Sequence, residues 1–105
     1  MVRLNIRIII EVEVGSPPNE FSLSQNFPNP FNPLTKIQYT INSNQFVMLK
    51  VYDVLGEEVA TLVNEEQDKG FHKVDFNAIT LSSGVYFYQL KAGDYTSVKK
   101  MILLK

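Results

Sequence analysis

The chain has no cysteine, a single histidine and only isolated glycines. Without cysteine there are no disulfides and no thiolate chemistry, which leaves the compartment open. One histidine and no cysteine fall short of the three or four ligands of a zinc site. That histidine, His72, sits inside an alternating run between Phe71 and Lys73. It reads as a packed or edge side chain rather than as the base of a nucleophilic pair. Gly15, Gly56, Gly70, Gly84 and Gly93 stand singly at turn positions, so no glycine-rich phosphate loop is present. A formal net charge of −1 lacks the basic footprint of a nucleic-acid binder and the pull toward an anionic membrane, so neither is an expected partner. No apolar run approaches the ~20 residues needed to span a bilayer. Residues 2–10 do not read as a signal peptide, because Arg3, Asn5 and Arg7 break the apolar run and Glu11 and Glu13 follow at once. If the protein is exported, the chain is expected to be the tail end of a longer one.

What is present centres on residues 26–33, Asn-Phe-Pro-Asn-Pro-Phe-Asn-Pro. Each proline fixes its own φ and removes a backbone donor. Each also biases the residue before it (Phe27, Asn29 and Asn32) toward extended geometry. Helix and central strand are both excluded. Phe27 and Phe31 would gain a few kcal/mol by burial, so the stretch is expected to be a shaped loop pinned to the core by two aromatic anchors.

The rest of the chain is punctuated by turns. Residues 2–14 alternate apolar and polar and read as a strand, either the first of this domain or a remnant of an upstream region. Residues 15–20, Gly-Ser-Pro-Pro-Asn-Glu, form the best boundary, dividing a segment 1–20 from a domain 21–105. Strands are expected over 21–24, 35–41, 46–55, 57–64, 71–77, 85–92 and 95–104, with Ile37, Tyr39 and Ile41 inward and Val47, Leu49 and Val51 on one face. Gly56 and Gly93–Asp94 mark hairpin turns, and residues 65–70 read as a charged connection. The fold class is therefore all-β, an antiparallel immunoglobulin-like β-sandwich of about seven strands, with or without an extra N-terminal strand. Tyr86, after Leu81 and Gly84, is placed where such sandwiches carry a tyrosine corner.

Catalytic chemistry finds little support. Asp53, Glu57 and Glu58 form one acidic cluster and Glu65, Glu66 and Asp68 another, at opposite ends of one hairpin arm. They do not face each other as glycosidase carboxylates must. Calcium accepts turn carboxylates, yet no Asp-x-Asp-x-Asp loop occurs, and solvated turn charge is the preferred reading. Tyr52, Tyr86, Phe87, Tyr88 and Tyr95 suggest an aromatic platform for sugars, but Phe87 and Tyr88 must point to opposite faces of a strand. No enzyme activity, metal or cofactor is expected.

Several blocks together resemble a known family. Phe21 to Pro33, Ile37 to Ile41, Leu49 to Val59, Ser83 to Tyr86 and Lys100 to Lys105 are similar, in order and spacing, to the C-terminal sorting domain of type IX (Por) secretion substrates. That family is similar in fold to the immunoglobulin-like module of a flagellar hook-capping protein. The resemblance covers residues 21–105 and ends at the last residue, as a C-terminal signal should. It implies a non-catalytic address and anchor that directs a secreted cargo to the cell surface or medium. The implied partners are the outer-membrane type IX machinery and an upstream cargo domain. The positions matching the family's blocks are Pro28, Asn29, Pro30, Phe31, Asn32, Gly84, Tyr86, Lys100 and Lys105.

Lys100 and Lys105 are the less easily explained as core and are expected to contact the partner. Together with Lys99 they make the terminal hairpin basic, and its strand is expected near a sheet edge, where a partner can add a strand. Two other readings stand beside this one. One is a carbohydrate-binding or adhesive sandwich module. The other is an assembly domain that forms homo-oligomers through strand edges or residues 2–14.

Overall fold

A computed structural model describes residues 20–105. The alternating segment 2–14, and with it the boundary between segment and domain, lies outside the described residues except for Glu20. Among the described residues, period-two alternation of β-branched and aromatic residues produces seven strands. They are β1 (Ser22–Leu23), β2 (Leu34–Ile41), β3 (Gln45–Tyr52), β4 (Glu58–Gln67), β5 (Gly70–Asn77), β6 (Gly84–Ala92) and β7 (Tyr95–Leu103). They form two antiparallel sheets, β1-β2-β5 and β4-β3-β6-β7. The connections β2→β3, β4→β5 and β5→β6 cross between the sheets. The fold is an all-β sandwich, as the turn spacing predicts.

The inward residues of both sheets meet in one core. Ile37, Tyr39 and Ile41 of β2 face Val47, Leu49 and Val51 of β3 and Tyr86, Tyr88, Leu90 and Ala92 of β6, with Met101 and Leu103 of β7, all buried. Full burial of each large side chain contributes about 1.5–3 kcal/mol. The β6–β7 turn has Gly93 at φ +60° in its first central position and Asp94 in the second, the pattern of a type II′ hairpin.

Two boundaries differ from expectation by more than one residue, each for a local reason. β3 stops at Tyr52 because Asp53 Oδ1 accepts the amides of Leu55 and Glu57 (2.9 and 3.0 Å), turning the chain before Leu55. β4 runs on through the expected charged connection to Gln67. It is the outermost strand of its sheet, so Glu65 and Glu66 stay in water while pairing opposite Val47 and Phe46. The irregular spacing of Val59, Leu62 and Val63 also finds its cause here. Register jumps from Val63 to Thr61 and from Ala60 to Glu58, leaving Leu62 and Val59 as the extra residues of two bulges that pack against the core.

Candidate functional site

The proline loop is laid along the free side of β7. Phe31 is 2% exposed, with its ring 6.2 Å from that of Phe76. Its amide donates to the Ile102 carbonyl (2.9 Å) and its carbonyl accepts from the Leu104 amide (3.0 Å), a short parallel bridge centred on Leu103. Asn29 Oδ1 accepts the Ile102 amide (2.9 Å), and Gln25 Nε2 donates to the Lys100 carbonyl (2.7 Å). Pro33 accepts the Ala78 amide at 2.9 Å. The peptide bonds before Pro28, Pro30 and Pro33 are cis. Pro28, Asn29, Pro30 and Asn32 themselves are exposed.

Phe27 is not the second anchor. It is 79% exposed. Its backbone pairs reciprocally with Lys36 (3.0 Å each way), and facing residues of an antiparallel pair point to the same side. Lys36 faces water, and Phe27 follows it. The second anchor is Asn26, which is buried and absent from the expected site residues. Its amide donates to the Tyr88 hydroxyl (2.8 Å), and its Nδ2 donates to the Pro28 carbonyl (3.1 Å) and to Thr35 Oγ1 (3.0 Å). Thr35 Oγ1 in turn donates to the Pro28 carbonyl at 2.9 Å. Tyr88 donates to the Ser24 carbonyl at 2.7 Å, and burial pushes its hydroxyl up to about 12, against a smaller opposing effect of the Asn26 amide.

The remaining matched positions gather at the same end. The Tyr86 hydroxyl donates to the Ser82 carbonyl (2.7 Å), which makes the tyrosine corner that the sequence places there. Gly84 opens β6 opposite Leu103. Lys105 closes the corner from the other side. Its amide donates to Ser83 Oγ (2.9 Å), and its ammonium donates to the Ile79 and Leu81 carbonyls (2.7 and 2.8 Å). Lys100 stands apart from this network. It is exposed on the outer face of the sheet opposite Phe87, and its ammonium meets no acceptor among the described residues.

β7 lies at the end of its sheet, as expected, but only part of its edge is open. Residues 25–31 take the edge groups from the Lys100 carbonyl to the Leu104 amide. The backbone of Thr96 and Val98, and the Lys100 amide, point outward in the same alternation and have no partner among the described residues.

The other candidates are dispersed. Tyr86 and Tyr88 are core, Tyr52 and Phe87 neighbour each other on the outer face, and Tyr95 stacks on Phe21 at 5.0 Å. His72 stacks on Tyr39 (5.2 Å) and its Nε2 lies 2.7 Å from the Asp68 carbonyl. Among the described residues no three His, Asp or Glu side chains cluster as metal ligands would. An open groove of about 370 Å³ runs between Phe27, Pro28, Leu34 and Thr35, with Lys36 and Asp75 on its rim. Those two pair at 2.6 Å, and the hydrogen bond from Lys36, then its charge, holds the Asp75 carboxyl below its usual range.

The stretch from Gln25 to Leu104, loop, corner and final strand included, matches the sequence model of the secretion system C-terminal sorting domain. The chain belongs to that family. It is a type IX sorting domain, and the match starts where the loop begins to line β7 and ends at the residue that Phe31 holds. No curated protein matches the chain. A sorting domain of this kind carries an export signal, interacts with the type IX machinery and follows a cargo, and type IX substrates are secreted or surface-attached.

Proposed function

We propose that this sorting domain is a non-catalytic module that directs a cargo on its N-terminal side across the outer membrane to the cell surface or medium, with residues 1–20 as the linker and 21–105 as the sorting unit. Membership of the sorting-domain family over residues 25–104 carries this reading. The meeting of the proline loop, the corner and the last residues of β7 at one end of the sandwich supports it. Loop, corner and residues 100–104 make one continuous surface there, and the open stretch of β7 continues from it toward the other end.

The receptor reads the open stretch of β7 by backbone pairing at Thr96 and Val98, and the Lys100 ammonium by charge. The other matched positions act mainly by building that surface. Phe31, Asn29, Tyr86 and Lys105 already have partners within the domain. Lys100→Glu tests this. A cargo fused ahead of the domain should remain in the periplasm while the unfolding midpoint of the domain is unchanged. Normal export of that variant would remove charge recognition at Lys100 from the account.

A further inference from the structure

Large apolar side chains that face water are unevenly placed on the domain. Phe27, Leu34, Val54, Leu55, Ile79 and Leu104 lie at the end that carries the proline loop, the corner and the last residues of β7. Phe46 and Phe71 lie at the other end, and Val98 lies midway along β7. Most of the first group lie in or beside the proline loop, the corner and the end of β7, whereas Val54 and Leu55 stand on a separate hairpin. They form the tip of the β3–β4 hairpin and are 66% and 82% exposed.

This tip is rigidly held rather than loose. Asp53 Oδ1 accepts the amides of Leu55 (2.9 Å) and Glu57 (3.0 Å). The Asp53 amide donates to the Glu57 carbonyl and the Gly56 amide to the Asp53 carbonyl, each at 3.0 Å. Gly56 supplies the positive φ, +84°, that completes the turn. The hairpin therefore presents two adjacent aliphatic side chains in one fixed geometry, which removes much of the ordering cost of docking. Its surroundings are acidic, with Glu57 and Glu58 exposed beside it. Lys50, on the strand leading into the tip, is paired with Glu58 at 3.3 Å, and the exposed Lys100 stands two strands away on the same face.

We propose that the Val54–Leu55 tip is a docking knob that enters an apolar cleft with a cationic rim on a protein component of the export machinery. The proposal rests on the sorting function proposed above and names a second point of contact for it. The acidic flanks choose the occupant. They favour a basic rim and are repelled by anionic lipid headgroups, which argues for a protein cleft over a membrane surface.

The experiment fuses the full chain, 1–105, behind a signal peptide and a fluorescent cargo, in a bacterium with a type IX system and in the same strain lacking the translocon. Four forms are compared: the unaltered chain, Val54→Ser with Leu55→Ser, Glu57→Lys, and Phe71→Ser at the opposite end. The unaltered chain and Phe71→Ser should reach the surface or medium only in the intact strain. The double variant should lose roughly tenfold in export, the scale of removing an apolar hot spot, with its melting midpoint unchanged. Glu57→Lys should also reduce export. Should the double variant lower the midpoint, Leu55→Asp repeats the test with the same expected loss.

Full export of the double variant or of Leu55→Asp would overturn the knob, and full export of Glu57→Lys would overturn the cationic rim. An equal loss with Phe71→Ser would overturn the assignment to this end. Tip-dependent flotation of the domain with phosphatidylethanolamine–phosphatidylglycerol vesicles would replace the protein cleft by a lipid surface. Retention of the unaltered chain in the intact strain would instead strike the sorting function itself, and the knob with it.

Discussion

The backbone amide of Asn26 donates to the Tyr88 hydroxyl at 2.8 Å, and that hydroxyl donates to the Ser24 carbonyl at 2.7 Å. One side chain from the middle of the four-stranded sheet thus fixes the chain on both sides of Gln25, at the entry to the proline loop. Tyr39 answers it from the other sheet, with its hydroxyl donating to Gln67 Oε1 at the end of β4. Each tyrosine crosses the core and holds a segment beyond the sheet to which it belongs.

Tyr88→Phe should therefore be costly for an isosteric change. It removes the acceptor of the buried Asn26 amide, and a buried unsatisfied donor costs about 1–3 kcal/mol. Urea unfolding measures the loss, with an unchanged dependence on denaturant if the folded and unfolded states are otherwise alike.

The same two hydroxyls make stability depend on pH on the alkaline side. Burial raises both Tyr39 and Tyr88 from the ordinary tyrosine value of 10.0 to about 12. Between those values the unfolded chain has released protons that the folded chain keeps, so stability falls as pH rises. The contribution is complete below pH 10 and is lost through pH 12. Tyr39→Phe and Tyr88→Phe should each reduce the slope of unfolding free energy against pH in that window by about one proton. Denaturant titrations at several alkaline pH values would show it.

The two phenylalanines of the loop should behave oppositely. Phe31→Ala opens a cavity beside Phe76 and should destabilise by about 3–5 kcal/mol. Phe27→Ser, at a water-facing position, should change stability by less than about 0.5 kcal/mol. Asn26→Ala should lie between the two and should also speed proteolytic cleavage in residues 27–33, since its tether to Thr35 and Pro28 is lost.

Lys100 and Lys105 should separate just as clearly. Lys105→Ala removes the donor that two carbonyls of the corner share, and the unfolding midpoint should fall by a few degrees. Lys100→Ala should leave the midpoint unchanged. Thermal melts of the two variants side by side decide this, and equal midpoints would contradict the corner-closing role of Lys105.

Much of this architecture was legible in the residues. Alternation at Ile37–Tyr39–Ile41 and Val47–Leu49–Val51 marks strands because a pleated strand buries every second side chain. Gly93–Asp94 marks a hairpin because glycine takes the first position of a II′ turn freely. Tyr86 could be placed because a corner bond is local, reaching back only to Ser82. Asn26 could not be placed this way. Its partners Tyr88 and Thr35 are remote in sequence or reached across the loop, and an asparagine before Phe-Pro carries no mark of burial. Phe27 misled because hydrophobicity argues for burial, while its backbone bridge to Lys36 fixes the direction in which its ring points. The partial closure of the β7 edge was hidden for a similar reason, since it is made by the Phe31 backbone and the Gln25 and Asn29 side chains of a loop more than seventy residues earlier.

The domain is expected to be sufficient to send a cargo out through the type IX system. The measurement is the distribution of a fluorescent cargo carrying a signal peptide ahead of the full chain, in a type IX bacterium and in its translocon-deficient sibling. Fluorescence at the surface or in the medium of the first strain alone is the predicted result. Cargo held in the periplasm of both strains would contradict it.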